Sequence, residues 1–126
     1  MKEIIITPYA PDPVGPYNQA TRVGNTLYLS GQIAIDPASG DLVLDNIEKE
    51  THQVFNNLKA VLAKADMSFE NVVKCTVFVS DMDNYGKINA VYGQYFDHNT
   101  APARELVEVA RLPKDVNIEI SAIAIK

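Results

Sequence analysis

In the last quarter of the chain, hydrophobic residues alternate with polar ones in two segments that a charged, proline-containing link separates. These segments cover residues 104–109 and 118–125, and strict alternation is typical of strands with two different faces. Arg104 and Glu105 would therefore point to opposite faces of the first strand. In the second strand, Glu119 would lie opposite an apolar face. If the two strands were neighbours, a guanidinium group and a carboxylate could project from the same sheet.

The rest of the chain predicts further strands and two helices. The pair Gly24-Asn25 suits a two-residue hairpin turn, and Gly31 indicates a bulge or a close approach of another group to the backbone. The first helix has an apolar stripe over about three turns, and Asp45 would cap it with Glu48 in capping-box spacing. The second helix presents aromatic residues along one side as far as Phe96. The predicted elements are strands over 2–7, 19–23, 26–30, 32–35 and 72–79, and helices that begin near residue 45 and after residue 81 or 83.

The order of these elements predicts a mixed sheet. A helix between two strands usually connects parallel neighbours, whereas a hairpin connects antiparallel ones. We therefore expect an α+β fold in a single domain, residues 1–126, with a mixed sheet of about six strands and two helices on one of its faces. The other face would carry Val, Ile and Leu side chains, and an apolar face of that size predicts a subunit interface.

Composition and charge narrow the classes of function. The net charge of −5 and the scattered basic residues argue against a nucleic-acid partner, which needs a concentrated basic surface. Cys75 is the single cysteine, so no intrachain disulfide can form, and a buried thiol is expected. No stretch approaches the roughly 20 apolar residues that cross a bilayer, and the first residues lack a signal-peptide pattern. We expect a soluble cytoplasmic protein with no membrane partner.

Arg104 is the strongest candidate for a ligand-binding residue. It begins a strand after a loop that ends in proline, and its planar fork suits a carboxylate ligand. The alternative is an ordinary salt bridge with Glu119 or an exposed charge at the end of the strand. Glu119 lies in a strand interior, where an unpaired carboxylate is costly, so it is either neutralised or acts as an acid or base. Tyr17 follows a proline-rich loop over residues 8–16 and is either a turn residue or a pocket wall.

Neither a metal site nor a strong nucleophile emerges from the pattern. His52 and His98 have no companions at ligand spacing, so no metal is predicted. Ser30 precedes a glycine but has no evident base, which favours a hydrogen-bonding or structural role. The residues by themselves therefore predict an α+β oligomer with a candidate carboxylate pocket.

Six motifs are spread over nearly the whole chain: Gly15-Pro16-Tyr17, Ser30-Gly31-Gln32, Thr76-Val77-Phe78-Val79, Pro102-Ala103-Arg104, Val107-Glu108-Val109-Ala110-Arg111-Leu112-Pro113-Lys114-Asp115 and Ile118-Glu119-Ile120. They closely resemble the motifs of the RidA (YjgF-type) family of reactive-intermediate deaminases. The resemblance implies a chorismate-mutase-like fold of the bacillus type and a homotrimer whose sheets line a central barrel. It places the sites in clefts between subunits.

The same resemblance implies a reaction. Members of this family hydrolyse 2-aminoacrylate, 2-aminocrotonate and related enamines or imines to 2-keto acids and ammonia, with no cofactor and no metal. These small 2-imino or 2-enamino acids are released by pyridoxal-phosphate enzymes such as serine and threonine dehydratases. The implied enzyme is a 2-iminobutanoate/2-iminopropanoate deaminase.

The resemblance also implies roles for individual residues. Arg104 would clamp the substrate carboxylate with help from the backbone N–H of Gly31. Glu119 would position or activate the attacking water and help to protonate the departing ammonia. Tyr17 would wall the pocket from a neighbouring subunit. An already reactive imine beside an oriented water needs little beyond proximity and charge placement.

Further pocket positions follow from the family's pattern, with three departures from it. Ser30 and Asn89 stand where the family has polar pocket-lining groups. Leu106 replaces a cysteine that is frequent in the family, and its backbone amide would serve while its bulk narrows the pocket. Glu105 replaces a small residue and would compete with substrate only if strand twist turned it towards Arg104. Ala101 stands where an aromatic residue is common, which widens the pocket mouth.

Three other functions are compatible with the same residues. A non-catalytic trimer would bind small carboxylates as a sensor or regulator. An endoribonuclease, acting as a translation inhibitor, is an activity of some relatives that the acidic charge disfavours. A holdase chaperone would bind clients on exposed apolar surface.

Overall fold

Six strands and two helices make up the protein in its computed structural model, which describes all residues from 1 to 126. Numbered in chain order, they are β1 Glu3–Ile5, β2 Ala20–Val23, β3 Thr26–Gln32, α1 Ile47–Lys64, β4 Val72–Val79, α2 Tyr85–Tyr92, β5 Ala103–Glu108 and β6 Ile118–Ile125. Three short 3-10 turns lie between them, at Phe69–Asn71, Met82–Asn84 and Pro113–Asp115. The predicted number of strands and helices is confirmed.

The strands form one mixed sheet in the order β1-β2-β3-β6-β4-β5. All neighbours are antiparallel except β4 and β5, a parallel pair that α2 connects. This is the expected α+β architecture. However, β5 and β6 are not neighbours, because β4 lies between them and pairs with both. Local alternation predicts that a segment is a strand, but strand order depends on pairings between segments that are distant in the chain.

One face of the sheet carries the core, and both helices cover it. Helix α1 packs against β3, β6 and α2. Phe55 of α1 is completely buried and stacks on Tyr95 with 4.3 Å between the ring centroids. Full burial of a side chain of this kind contributes about 1.5–3 kcal/mol. The inward residues of β4 and β6 are buried: Cys75, Val77 and Val79 on β4, and Ile118, Ile120, Ala122 and Ala124 on β6.

The opposite face of the sheet, here called the open face, has no helix on it. Its apolar side chains include Ile4, Tyr28, Val107 and Ile125, which are 40–49% exposed. Such a row of half-exposed hydrophobic residues is typical of a surface that another molecule covers. Neither helix combines the length and the hydrophobicity that crossing a lipid bilayer requires.

The start of α1 differs from the prediction by one residue. Asn46 caps the helix, because its Oδ1 accepts a hydrogen bond from the backbone N–H of Lys49 at 2.8 Å. Asp45 lies one residue earlier, and its carboxylate is 3.6 Å from the Lys49 ammonium group. The predicted cap at Asp45 and its capping box with Glu48 are therefore wrong. Asp and Asn are equally good caps, so adjacent ones do not determine the first residue.

Helix α2 is shorter than its aromatic side predicted. It ends at Tyr92, and the chain continues in turns closed by i→i−3 bonds, such as Tyr95 N–H to Tyr92 O at 3.1 Å. These tighter turns keep Tyr95 and Phe96 on the core side, so both still pack on Phe55. The aromatic pattern correctly predicted burial but not the end of the helix.

Gly31 lies at the predicted irregularity of β3. The register with β6 shifts between Leu29 and Gln32, so Ser30 and Gly31 together face one residue of β6. The strand ends at Gln32, and Ile35 forms only an isolated bridge with Leu42. The predicted strand over 32–35 is therefore wrong, whereas the predicted bulge is confirmed.

The proline-rich loop before β2 is fixed by one buried side chain. Gln19 is 1% exposed, and its Oε1 accepts the N–H of Thr7 at 2.8 Å. Its Nε2 lies 2.9–3.2 Å from the carbonyl oxygens of Thr7, Ala10 and Pro11. Ordering a loop costs less entropy when prolines already restrict it. The loop thereby holds Tyr17 at a defined place.

Candidate functional site in two halves

Arg104 projects from β5 towards the helices. Its register partner on β4 is Cys75, which is buried on the helix-covered face. Its Nη1 donates a hydrogen bond to Asn89 Oδ1 at 2.8 Å, and its Nη2 donates one to the Tyr85 hydroxyl at 3.2 Å. The guanidinium carbon lies 4.7 Å from the centroid of the Tyr92 ring. All three contacts come from α2.

No carboxylate lies within ion-pair distance of Arg104, since the three ion pairs of the chain are Lys49–Asp45, Lys74–Glu105 and Arg111–Asp115. The alternative of an ordinary salt bridge with Glu119 is therefore wrong for a single copy. Its charge does act on Tyr85, whose pKa is lowered by hydrogen bonding with Asn89 and by the nearby guanidinium group. Arg104 is thus a charged donor without an anionic partner.

Arg104 opens onto a cleft of about 460 Å³. Both Asn89 and the loop before β5 contribute to its wall, and Ala101 lies at its edge. The lining residues are Asn89, Tyr92, Gly93, Phe96, His98, Ala101, Pro102 and Arg104. We call this cleft, with Arg104 and its three α2 contacts, the arginine half-site. It is large enough for a small organic acid.

Glu119 lies on β6 and points to the open face. Its side chain passes directly over Gly31, where a Cβ atom would be only 2.5 Å from Glu119 Oε2. The absence of a side chain at Gly31 therefore makes room for the carboxylate. Burial raises the pKa of Glu119, and no cation lies within ion-pair distance to oppose this effect.

A second cleft, of about 150 Å³, contains Glu119. Tyr17 stands at its wall, 49% exposed, and its hydroxyl is 3.4 Å from the backbone N of Val14. The lining residues are Pro11, Asp12, Val14, Tyr17, Gln19, Gly31, Gln32, Ile33, Ile35, Pro113, Lys114 and Glu119. We call this cleft the glutamate half-site.

The two half-sites lie on opposite faces of the sheet. Arg104 pairs with Cys75 of β4, and Glu119 pairs with Phe78 of the same strand. Cross-strand partners share a face, whereas residues three apart on one strand point to opposite faces. A single copy therefore brings Tyr17, Gly31 and Glu119 together but keeps them apart from Arg104 and Asn89.

Two other predicted site residues have mainly structural contacts. The Ser30 hydroxyl donates to the backbone oxygen of Asn18 at 2.6 Å, which ties β3 to the chain that carries Tyr17. Leu106 is half-buried and packs against the hydrophobic core, and it lines neither half-site. The roles assigned to both in substrate binding remain predictions.

Glu105 does not approach Arg104. Its Oε1 lies 3.1 Å from the Lys74 ammonium group on the open face. Strand twist has not turned it towards the guanidinium group, so it does not compete there with a ligand. The departure from the family pattern at this position is accommodated by a lysine on the neighbouring strand.

The histidines and the cysteine have ordinary environments. His52 Nδ1 is 2.7 Å from the Tyr95 hydroxyl, and His98 lies at the wall of the arginine half-site. Cys75 is a buried thiol, as predicted, and burial raises its pKa. No three His, Cys, Asp or Glu side chains are grouped in a way that could hold a metal ion.

Sequence reasoning missed Tyr85, Tyr92 and the strained turn at Lys114. The two tyrosines resembled core residues, although their spacing with Asn89 (i, i+4, i+7) would have placed all three on one side of a helix. Lys114 and Asp115 have φ angles of 55° and 56°. Such left-handed conformations cost a non-glycine residue about 1–3 kcal/mol and are frequent at functional sites.

Comparison with known proteins places this chain in a family. The family model described as Endoribonuclease L-PSP matches residues 7–126. A RutC family protein of Pyrococcus horikoshii is 52% identical over 126 residues, which cover 100% of this chain and 99% of that protein. The 2-iminobutanoate/2-iminopropanoate deaminase of Mus musculus is 42% identical over 126 residues, which cover 100% of this chain and 93% of that protein.

Solved structures agree with these relatives. E. coli TdcF with bound serine superposes with a TM-score of 0.92 and 40% identity, covering 98% of both chains. RidA from the Antarctic bacterium Psychrobacter has a TM-score of 0.94 and 38% identity, covering 98% of this chain and 99% of that one. The fold, the match of the family model and the identity over full length lead to one conclusion: this chain belongs to the RidA/YjgF family.

Proposed function

We propose that this protein is an imine deaminase, which hydrolyses small 2-imino and 2-enamino acids such as those derived from 2-aminoacrylate and 2-aminocrotonate. The observation that carries the proposal is Arg104, a guanidinium group held by neutral side chains with no carboxylate within ion-pair distance. A fork of N–H donors in this state suits the carboxylate of a small acid. The deaminase name of the mouse relative and the serine bound to E. coli TdcF support this substrate class.

Glu119 supplies the acid–base chemistry in this proposal. The enamine first takes a proton at carbon and becomes the iminium ion. Water adds to the iminium carbon while Glu119 accepts one of its protons, which gives the carbinolamine. Glu119 then returns this proton to the amino group, which leaves as ammonia, and loss of the hydroxyl proton yields the 2-keto acid. Because burial raises the pKa of Glu119, its carboxylate is a stronger base than an exposed one, and the protonated carboxyl group holds the proton that the departing amino group takes.

The complete site requires two copies of the chain in this proposal. Arg104 and Glu119 lie on opposite faces of one sheet, so the arginine half-site of one copy must meet the glutamate half-site of another. We propose a homotrimer whose open faces line a central barrel. The half-exposed apolar residues of the open face, such as Tyr28 and Val107, support such packing.

The deaminase activity is tested with 2-aminoacrylate that a second enzyme generates in the same reaction mixture. A serine dehydratase acting on L-serine releases 2-aminoacrylate, and the rate of pyruvate and ammonia formation is measured with and without this protein. We expect wild type to accelerate the reaction and Arg104→Ala not to. Arg22→Ala is the matched control, since Arg22 makes no ion pair and lines neither half-site.

Other outcomes identify other functions. L-serine binding without any acceleration of pyruvate release would overturn the deaminase proposal and support a non-catalytic carboxylate-binding regulator. RNA cleavage that Arg104→Ala leaves unchanged, in a protein inactive towards imines, would support the endoribonuclease. Suppression of client aggregation without either activity would support a holdase.

The two-copy site is tested by complementation. Arg104→Ala and Glu119→Gln chains are each expected to be inactive alone. When they are produced together in equal amounts, about a quarter of the clefts of a randomly mixed trimer combine an intact arginine half with an intact glutamate half. Recovery of about a quarter of the wild-type activity supports the shared site. No recovery, with mixed trimers shown by mass spectrometry, would contradict it.

A further inference from the structure

One side of α2 makes every contact with the Arg104 side chain described above. Tyr85, Asn89 and Tyr92 follow the spacing i, i+4, i+7, so they lie in one stripe along the helix. Asn89 and Tyr85 accept one hydrogen bond each, and Tyr92 presents the face of its ring. We call these three residues the α2 stripe.

The α2 stripe orients the guanidinium group without neutralising it. An amide oxygen, a phenol oxygen and an aromatic face all attract a cation, but none of them carries a charge. Two of the five N–H donors of an arginine are used. The remaining three make no hydrogen bond within the chain, and no carboxylate neutralises the charge of the guanidinium group.

The ring of Tyr92 is a fixed platform. Its side chain is 7% exposed, and it packs on Phe55 and Phe96 with centroid distances of 5.7 and 4.8 Å. The hydroxyl group is buried without a hydrogen-bond partner, so the hydroxyl is not what holds the ring in place. The packed ring face below Arg104 is the part of Tyr92 that contributes to the site.

We propose that the α2 stripe is a positioning element whose neutrality keeps Arg104 available to a carboxylate ligand, with Tyr92 acting as a positioning residue through its ring. The inference rests on the proposed function for the identity of that ligand, a small 2-imino or 2-amino acid. It adds a selectivity rule: no acidic residue is tolerated at position 85, 89 or 92. An acidic residue at position 89 would form a bidentate ion pair with Arg104 and displace the ligand.

Five variants, Arg104→Ala among them, and one ligand pair test the proposal. L-serine is titrated into each protein by calorimetry, and L-serinamide, which lacks the carboxylate, is the ligand control. Asn89→Asp changes one side-chain atom from nitrogen to oxygen, and Ala90→Asp adds the same charge at an exposed position of the same helix. Tyr92→Phe keeps the ring, whereas Tyr92→Leu removes it. Thermal midpoints are recorded for all.

The expected results distinguish a positioning role of the α2 stripe from a purely structural one. Asn89→Asp should weaken L-serine binding more than tenfold while its thermal midpoint stays or rises, because Arg104 gains an internal partner. Ala90→Asp and Tyr92→Phe should stay within about twofold of wild type, whereas Tyr92→Leu should lose about three- to thirtyfold. Serinamide should respond to none of them.

Failure of this inference is distinct from failure of the proposed function. If Arg104→Ala abolishes L-serine binding but Asn89→Asp binds like wild type, the α2 stripe has no positioning role. If Tyr92→Leu fails to fold, Asn89→Asp decides, because its side chain keeps the same shape. If Arg104→Ala itself leaves binding and turnover unchanged, the proposed function is wrong and the inference falls with it.

Discussion

The principal side chain of each half-site, Arg104 or Glu119, has no partner of opposite charge, but the surroundings of the two side chains differ. Arg104 is surrounded by neutral partners that use some of its donors and leave its charge uncompensated. Glu119 has no cation within ion-pair distance, and its pKa is raised by burial where it passes over Gly31. A cation is thus held ready by hydrogen bonds, whereas a carboxyl group is made a better proton acceptor by the removal of water.

A third ionisable side chain, Glu50, differs from both because each of its carboxylate oxygens has a hydrogen-bond partner within the chain. Glu50 is completely buried, and Asn117 donates two hydrogen bonds of 2.7 Å to its two carboxylate oxygens, one from the backbone and one from the side chain. This carboxylate fixes the start of β6, two residues before Glu119. Neither Arg104 nor Glu119 is satisfied in this way, which is the property expected of groups that act on a ligand.

Removal of the Arg104 fork should have the largest effect on activity. Arg104→Ala loses at least two charge-assisted hydrogen bonds to the substrate carboxylate, together about 3–6 kcal/mol, or about 10²–10⁴ in kcat/KM. The coupled pyruvate assay measures it. Equal kcat/KM for Arg104→Ala and Arg22→Ala would show that the arginine half-site binds no substrate.

Replacement of Glu119 should affect turnover more than binding. Glu119→Gln keeps the shape of the side chain but cannot accept a proton, so we expect kcat to fall about a hundredfold or more while L-serine affinity changes little. The acidic limb of the wild-type rate profile should lie above the ordinary carboxyl value of 4.5, because burial raises the pKa. An identical acidic limb in Glu119→Gln would assign that titration to another group.

Glu119→Gln should also change the thermal stability of the protein, in a direction that depends on pH. The folded chain binds a proton on Glu119 more tightly than the unfolded chain does, since burial raises the folded pKa. This contribution to stability is present at acidic pH and is lost as the pH rises through the folded pKa. Glu119→Gln should therefore gain thermal stability over wild type at neutral pH and lose that advantage near pH 4.5. A constant difference at every pH would contradict the burial effect.

Gly31 should be needed for the place of Glu119. In Gly31→Ala the new Cβ atom would lie 2.5 Å from Glu119 Oε2, so the flexible carboxylate must move while the backbone need not. We expect turnover to fall about tenfold with little loss of thermal stability. Gly86→Ala is the matched control, because nothing lies within 4 Å of a Cβ there and alanine should stabilise α2 by about 0.5–1 kcal/mol. Equal turnover of both variants would show that the absence of a side chain at position 31 has no part in the site.

Glu105 should have the smallest effect. Its ion pair with Lys74 is about half exposed on both sides, and exposed pairs contribute about 0–1 kcal/mol. Glu105→Ala should leave L-serine affinity within about twofold of wild type, since the side chain points away from Arg104. A clear gain in affinity would mean that Glu105 does compete with the ligand.

Sequence patterns predicted the local features of this site well. Alternation identified the strands that carry Arg104 and Glu119, and the glycine inside a strand pattern predicted the bulge that the structure has at Gly31. The resemblance to the RidA family, now confirmed, assigned Arg104 and Glu119 to one site. The cap of α1 was predicted one residue early, because Asp45 and Asn46 have equal capping ability.

By itself, the sequence determined which segments are strands and helices and which of their sides are apolar, and it predicted which residues would bind an acid. These properties depend on neighbours within a few residues along the chain. Only the tertiary structure decided that β4 separates β5 from β6, that Arg104 and Glu119 face opposite ways, and that three neutral residues of α2 surround the guanidinium group. These properties depend on pairing and packing between distant segments, which no local pattern specifies.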